Sequence, residues 1–206
     1  MPGNCKGVIF DFNGTLFFDS DKHVKAWNKL SELLRGVGIS SQELQEHFYG
    51  VPNNRAIAYL LQTQSDEEEL SRYSELKEAY YRDFCRDHKE SFQLVEGAEA
   101  FFELLTANSI PFAIASASIK TNIDFFVRSF GLDRWFSPER IIYDDGSFAD
   151  KVSMFRSAAA VIGVPVEDCV IFEDSESGIR NALDAGCRNV VVVDSMGVAD
   201  RYHGQP

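Results

Sequence analysis

Short apolar runs alternate with helical segments through the second half of the chain, and this alternation restricts its fold more than any other feature. Four runs have the pattern of buried strands, namely residues 111–116, 140–143, 169–172 and 189–193. The helical segments before and between them span residues 98–107, 120–130, 152–162 and 177–185. Because strands joined through helices of this length form right-handed crossovers, the pattern predicts a parallel sheet with helices on both faces.

A helical insertion separates one further strand from these four. Residues 7–12 form another apolar run, whereas residues from about 19 to 90 show only the 3.6-residue periodicity of helices. The sequence therefore predicts an α/β fold with a Rossmann-like parallel sheet core formed by residues 1–18 and 94–206. Residues 19–93 are predicted to form an inserted all-helical cap.

Two patterns locate helices inside this predicted cap. An apolar stripe at helical spacing ends at Gly36, and its members are Val24, Trp27, Leu30 and Leu34. Further along, Ser65 and Glu68 have the spacing of a capping box, which predicts the start of a long amphipathic helix that reaches at least Tyr80.

Charge and composition narrow the class of protein. The 206 residues include 20 Lys and Arg against 32 Asp and Glu, giving a formal net charge of -12. Phosphate backbones and anionic lipid surfaces repel such a chain, so we expect no nucleic-acid partner and no membrane association. No apolar run approaches the roughly 20 residues of a membrane helix, and the N-terminus lacks a signal-peptide pattern. The four cysteines are far apart without a CxxC pair, so we expect a cytoplasmic monomer without zinc or disulfides.

Polar side chains stand at the ends of several predicted strands. They are Asp11, Asn13 and Thr15 after the first strand, Ser116 and Ser118 after the second, Lys151 before a later helix, and Glu173 with Asp174 after the fourth. Each of these groups alone is explained equally well as a turn or a helix cap. Ligands, however, collect at the carboxyl ends of parallel strands, where carboxylates can hold Mg2+ while hydroxyl and lysine groups bind phosphate. Together the groups predict a phosphate and divalent-cation site.

The same residues resemble the sequence motifs of the haloacid dehalogenase superfamily. Its first motif, a strand ending in DxDGT, is matched by Asp11-Phe12-Asn13-Gly14-Thr15, and its other three motifs by Ser116, Lys151 and the pair Glu173-Asp174. The resemblance covers nearly the whole chain and is strongest to the β-phosphoglucomutase and small-phosphatase branch. The third motif departs from the usual pattern, because Val152 stands where a proline normally follows the lysine.

This resemblance implies roles for individual residues. Asp11 would be the nucleophile and would carry the phosphoryl group as an aspartyl phosphate. Mg2+ would be held by Asp11, Glu173, Asp174 and the backbone carbonyl of Asn13. The phosphate oxygens would be bound by Thr15, Ser116, Ala117 and Lys151.

Position 13 departs from the family pattern in a way that affects the chemistry. Phosphotransferases of this kind have an Asp there, which protonates the leaving oxygen and then activates water, and the amide of Asn13 can do neither. General acid–base catalysis typically contributes about 10^2 to 10^4 in rate. His23, which falls where the sugar phosphomutases carry a histidine, could replace the missing acid, but it could equally be a solvated histidine at a helix start.

The cap resembles the mutase cap in part. Lys77 falls where that family has a lysine for the distal phosphate of its substrate, but Asn53 replaces an expected arginine. An exposed helical lysine paired with Glu78 or Asp83 explains Lys77 equally well.

Three functions follow from these observations. The first is a Mg2+-dependent phosphatase of a small phosphorylated metabolite, such as a sugar phosphate. The second is a hexose-phosphate mutase similar to β-phosphoglucomutase. The third is a catalytically impaired protein that binds a phosphometabolite without turning it over.

Overall fold

The computed structural model describes residues 5–63 and 65–195, and these divide into two compact units. One unit, the core, contains the described residues up to Phe18 and from Gln93 onward. The other, the helical cap, is Asp19–Phe92. None of the helices in the described ranges has the length and apolar character needed to cross a membrane.

The described residues form five strands and eight α-helices. The strands are β1 (Gly7–Phe10), β2 (Phe112–Ile119), β3 (Ile141–Asp144), β4 (Cys169–Glu173) and β5 (Asn189–Val192). The cap contains helices α1 (Ser20–Arg35), α2 (Ser41–His47), α3 (Asn53–Leu61) and α4 (Glu67–Asp87). The core contains helices α5 (Ala98–Ala107), α6 (Lys120–Phe130), α7 (Lys151–Val161) and α8 (Glu176–Ala185).

All five strands lie in one parallel sheet with the order β3-β2-β1-β4-β5. β1 is central, with Ile9 opposite Ala113 of β2 and Ile171 of β4. This topology confirms the predicted parallel α/β sheet. The strand order reverses between β1 and β4, and ligands of open parallel sheets bind at such a reversal, beyond the carboxyl ends of the strands.

Alternating residues of β1 face the two layers of helices. Ile9 is fully buried in a cluster with Phe155 and Ala158 of α7. On the opposite face Phe10 contacts Phe102 of α5, with ring centroids 5.4 Å apart. Because side chains alternate along a strand, Asp11 follows Ile9 onto the face that α7 covers.

Two strand ends differ from the prediction. β1 ends at Phe10 rather than at residue 12, because the chain turns sharply: Leu16 N–H donates to the carbonyl of Phe12 at 2.8 Å. β2 continues to Ile119, past the predicted residue 116, and its register with β3 shifts after Ser116. The other predicted elements of the core begin and end within one residue of those observed.

The helices of the cap follow the predicted apolar stripe. α1 ends at Gly36, whose φ of 76 places it in the left-handed region that glycine adopts without strain. The stripe residues of α1 pack in one cluster with Leu44 of α2 and Ile57 of α3.

The predicted capping box at Ser65 is wrong, because α4 begins one residue later. The carboxylate of Asp66 accepts a hydrogen bond from the N–H of Glu69 at 2.8 Å. The hydroxyl of Ser65 instead donates to the carbonyl of Thr63 at 3.5 Å. Asp66 has the same three-residue spacing to Glu69, and a carboxylate also interacts favourably with the positive end of the helix.

We therefore expect Asp66→Ala to lower the free energy of unfolding by about 1 kcal/mol, because it removes the N-cap of α4. The neighbouring Ser65→Ala should change it by less than about 0.5 kcal/mol. Urea denaturation of both variants checks this, and equal losses would show that Asp66 is not the dominant cap.

Candidate active site

Charged groups from three separate elements meet beyond the carboxyl ends of β1 and β4. The ammonium group of Lys151, the first residue of α7, donates to Asp11 Oδ1 at 2.7 Å and also to the carboxylate of Glu173. Asp11 is 5% exposed and Glu173 is fully buried. The sheet and α7 thus bring together Asp11 and Lys151, which are 140 positions apart in the sequence.

Lys151 is held in place by the start of its own helix. Asp150 caps α7 by accepting from the N–H of Ser153 at 2.8 Å, and the hydroxyl of Ser153 accepts from the N–H of Asp150 at 3.4 Å. This reciprocal pair fixes the first turn of α7. The ammonium group therefore reaches the strand ends from a rigid helix terminus.

The acidic groups of the site form a cluster that could hold a metal ion. One carboxylate oxygen each from Asp11, Glu173 and Asp174 lies within 4.8 Å of the others. A set made only of oxygen donors suits a hard divalent cation such as Mg2+. The donor chemistry of these residues therefore fits the predicted metal.

Burial and mutual repulsion shift the pKa values of this cluster. Burial raises the pKa of Asp11 to about 8, Lys151 opposes that rise, and the charges of Glu173 and Asp174 add to it. Burial also raises the pKa of Asp174 to about 6. Burial alone would lower the pKa of Lys151, but Asp11 and Glu173 raise it above its ordinary value. One lysine does not balance three buried carboxylates, and a divalent cation would complete the neutralisation.

Two serines orient the carboxylates that follow β4. Glu173 Oε2 accepts from the backbone N–H of Ser175 at 2.8 Å and from its hydroxyl at 3.1 Å. Asp174 Oδ2 accepts from the hydroxyl of Ser195 at 2.6 Å. The sequence analysis missed Ser195, because no spacing signal connects a residue beyond β5 with the end of β4.

Two glycines are required where these carboxylates lie. A Cβ atom on Gly14 would be 2.0 Å from Asp174 Oδ2, and its φ of +78 disfavours other residues as well. A Cβ atom on Gly178 would lie 1.8 Å from Glu173 Oε1. Gly14 of the first motif and Gly178 in the first turn of α8 thus make room for the acidic pair.

One hydroxyl group of the site has no hydrogen-bond partner within the described residues. Thr15 is 2% exposed, and its Oγ1 atom is buried without a hydrogen-bond partner among the described residues. The Oγ atom of buried Ser116 accepts from the N–H of Ser118 at 3.2 Å, which leaves the Ser116 hydroxyl proton unassigned. Ala117 lies exposed between them. A buried hydroxyl that lacks a partner is costly, and a bound phosphate oxygen would satisfy Thr15.

Asn13 is half-buried, and a serine from the neighbouring strand fixes its side chain. The hydroxyl of Ser118 donates to Asn13 Oδ1 at 2.6 Å. The sequence analysis grouped Ser118 with Ser116 at the end of the second strand but did not predict this contact, since the extension of β2 beyond Ser116 was not predicted. The contact ties the loop after β1 to the end of β2.

The two candidate residues of the cap lie together within that unit. Lys77 is 2% exposed, and its ammonium group donates to Glu78 Oε1 and to His23 Nδ1, both at 2.8 Å. Because Nδ1 accepts from Lys77, the ring proton is on Nε2, which lies 3.3 Å from Asp19 Oδ2. The ring of His23 also stacks on that of Tyr81, with centroids 4.1 Å apart.

This arrangement corrects two alternatives for the cap. The interpretation of Lys77 as an exposed lysine is wrong, because tertiary packing buries it, although its pairing with Glu78 is observed. The alternative of a solvated histidine at a helix start is corrected in part: His23 lies in the first turn of α1 with 31% of its side chain exposed, but its ring contacts Asp19, Lys77 and Tyr81.

Glu78 is the counter-charge of Lys77 and accepts a second hydrogen bond from Asn53 Nδ2 at 2.8 Å. Burial alone would raise the pKa of Glu78, but the charge of Lys77 and the hydrogen bond that it donates lower it to about 2. Asn53, which stands where the mutase pattern has an arginine, therefore serves the internal ion pair of the cap.

Comparison with known proteins identifies the family. Residues 5–186 match the model of the haloacid dehalogenase-like hydrolases. The chain belongs to this family. The predicted family, and with it the predicted hydrolase class, is confirmed.

Relatives of this hydrolase include several named phosphatases. It is 28% identical to fructose-1-phosphate phosphatase YqaB of Escherichia coli, over 87% of this chain and 92% of that protein. It is 26% identical to the chloroplastic 5-amino-6-(5-phospho-D-ribitylamino)uracil phosphatase of Arabidopsis thaliana, over 90% of this chain. In that comparison the chain spans only 49% of the plant protein.

Solved structures of the family share the fold. A family IA, variant 3 hydrolase of Entamoeba histolytica superposes with a TM-score of 0.89 at 33% identity, covering 97% of this chain and 89% of that one. A β-phosphoglucomutase from Clostridium difficile gives a TM-score of 0.69 at 20% identity and covers 97% of both chains. The second likeness shows a shared fold alone.

The ion pair in the cap predicts an acid-sensitive contribution to stability. The folded pKa of Glu78, about 2, lies below the ordinary value of 4.5. Its ionised form therefore stabilises the fold above pH 4.5, and this stabilisation is lost as the pH falls toward 2. Glu78→Gln should lower the free energy of unfolding at pH 7 by about 3 kcal/mol, because it leaves Lys77 buried without its counter-charge.

The difference between this variant and the unmodified protein should shrink as the pH falls from 4.5 toward 2. Denaturant titrations at a series of pH values measure it. Glu75→Gln, an exposed change on the same helix, is the matched control and should have little effect. A difference that stayed constant with pH would show that the ionised form of Glu78 does not stabilise the cap.

Proposed function

We propose that this hydrolase is a Mg2+-dependent phosphatase that acts on a small phosphorylated metabolite through an aspartyl phosphate on Asp11. The observation that carries the proposal is the shared ammonium group of Lys151, which holds Asp11 against Glu173 within 4.8 Å of a third carboxylate. The phosphatase names of several relatives support the substrate class.

The acidic cluster provides a place for the metal. Asp11, Asp174, Glu173 and the backbone carbonyl of Asn13 are the groups that would hold Mg2+. When bound, the cation reduces the repulsion between the Asp11 carboxylate and the phosphate dianion. Glu173 also has a structural task, since both of its oxygens already accept hydrogen bonds from Lys151 and Ser175.

The protein's own residues would divide the reaction into two displacements. In the first, an oxygen of Asp11 bonds to phosphorus while the bond to the leaving oxygen breaks. In the second, water attacks the same phosphorus, and the carboxylate of Asp11 is released. Lys151, Thr15 and Ser116 bind the phosphate oxygens in both steps, and their hydrogen bonds stabilise the charge that develops there.

The cap residues and Asn13 distinguish between the three functions that the sequence allows. A mutase has to bind two phosphates in turn, yet Lys77 is already committed to Glu78 and His23, and Asn53 offers no positive charge. The phosphatase is therefore favoured over the hexose-phosphate mutase. A protein that binds without turnover is favoured only by Asn13, and activity measurements decide that case.

Release of inorganic phosphate from a panel of small phosphate esters and acyl phosphates, with and without Mg2+, tests the proposed function. We expect release that depends on Mg2+ and falls to background in Asp11→Asn, because the amide is not a nucleophile. Asp133→Asn, an equivalent change on the exposed surface, should keep full activity. Turnover of Asp11→Asn near the unmodified level would remove Asp11 as the nucleophile, and interconversion without release would identify a mutase.

Binding of a phosphoryl analogue provides a test that does not depend on turnover. Beryllium fluoride with Mg2+ should raise the melting temperature by about 5 °C or more, because a ligand at about 100 times its Kd adds about 2.7 kcal/mol. Asp174→Ala should lose this shift. An equal shift in both proteins would mean that the analogue binds elsewhere.

A further inference from the structure

The contact between Ser118 and Asn13 bears on whether the site can donate a proton to a leaving group. The Ser118 hydroxyl donates its proton to Asn13 Oδ1 at 2.6 Å. The amide oxygen is thereby occupied, and the amide nitrogen can donate a hydrogen bond but cannot release a proton at neutral pH. Position 13 is where the resembled family carries its general acid, and neither the amide of Asn13 nor the hydroxyl of Ser118 can act as one at neutral pH.

The other candidate proton donors of the site are committed to partners. Lys151 is held between Asp11 and Glu173. In the cap, His23 accepts from Lys77 at Nδ1, and its Nε2 atom faces Asp19. The remaining hydroxyls, those of Thr15 and Ser116, are alcohols and therefore as weak acids as the alcohols that an alkyl phosphate would release.

We infer, on the basis of the phosphatase function proposed above, that the Asn13–Ser118 pair makes the enzyme select substrates by their leaving group. Acyl phosphates, whose leaving group is a stable carboxylate, are its substrates in preference to phosphorylated alcohols. The inference narrows the class of small phosphorylated metabolite that the site can process efficiently.

The balance of protons in the first step gives the reason. As Asp11 bonds to phosphorus, the electron pair of the breaking P–O bond moves to the leaving oxygen. An alkoxide is a strong base and needs a proton while it departs, whereas a carboxylate departs as the free anion. The loss of a general acid, about 10^2 to 10^4 in rate, therefore falls on alkyl phosphates and spares acyl phosphates.

The second step is the same for every substrate. Water attacks the phosphorus of the aspartyl phosphate, the P–O bond to Asp11 breaks, and the electron pair returns to the carboxylate. One proton of the water stays on the phosphate and the other goes to solvent. Since the amide of Asn13 cannot accept that proton, this hydrolysis is expected to be slow and to limit kcat for good substrates.

Matched pairs of substrates test the inference. Acetyl phosphate with ethyl phosphate, and benzoyl phosphate with benzyl phosphate, differ mainly in whether a carboxylate or an alkoxide departs. The measurement is kcat/KM for each compound with Mg2+, corrected for the spontaneous hydrolysis seen with Asp11→Asn. Peptide mass analysis of Asn13 accompanies each assay, because Asn13-Gly14 is prone to deamidation.

Asn13→Asp restores a proton carrier with almost no change in volume. It should raise kcat/KM for the alkyl phosphates by about 10^2 or more and change that for the acyl phosphates by less than about 5-fold. The preference for acyl phosphates should therefore fall by at least about 20-fold. Asn108→Asp adds the same charge at the exposed end of α5, away from the site residues, and should change neither class.

Equal gains for both classes in Asn13→Asp would overturn the inference while leaving the phosphatase function standing. Hydrolysis of neither class in an Asp11-dependent way would instead overturn the phosphatase function. If Asn13→Asp does not fold, a series of substituted phenyl phosphates with the unmodified protein replaces it. We expect kcat/KM to rise steeply with the acidity of the phenol, and a flat dependence would contradict the missing acid.

Discussion

The ammonium group of Lys151 between Asp11 and Glu173 is the interaction on which the rest of the site depends. Buried carboxylates are costly unless they are paired, and here two of them share one lysine while a third, that of Asp174, lies within 4.8 Å of both. The surrounding structure accommodates this cluster through two glycines without room for a side chain and through serines that donate to Glu173 and Asp174. A fold that keeps so many unfavourable groups together is best explained by a ligand that completes their charge balance.

The cap contains a second buried charge network with a different consequence. Lys77, which the family pattern would direct toward a substrate, is neutralised by Glu78 and hydrogen-bonded to His23. The hydroxyl of Tyr81 donates to the carboxylate of Asp19 and completes this network. Lys77 thus stabilises the cap itself, and this supports the proposed phosphatase over a mutase, which would need a free cation for a second phosphate.

Asn13 is the residue at which this protein departs from the pattern of the phosphotransferases that it resembles. An Asp at this position would supply both the acid and the base of a two-step phosphoryl transfer. The amide of Asn13 accepts a hydrogen bond from Ser118, while Lys151 pairs with Asp11 beside the acidic pair. In the proposed mechanism Asn13 therefore alters proton transfer without removing the phosphate-binding groups, so its effect depends on how much help a given leaving group needs.

The sequence by itself determined the parallel sheet and the residues at its strand ends. Apolar runs alternating with helices allow few other topologies, and parallel strands necessarily carry Asp11, Ser116 and Glu173 to one edge. Only the tertiary structure decided that Lys77 is buried, that Asp66 rather than Ser65 caps α4, and that Ser118 and Ser195 hold Asn13 and Asp174. Most of these features are contacts between side chains that are distant in the sequence. The cap of α4 is instead a choice between two adjacent residues, Ser65 and Asp66. The outcome in each case depends on packing geometry, which periodicity and spacing do not contain.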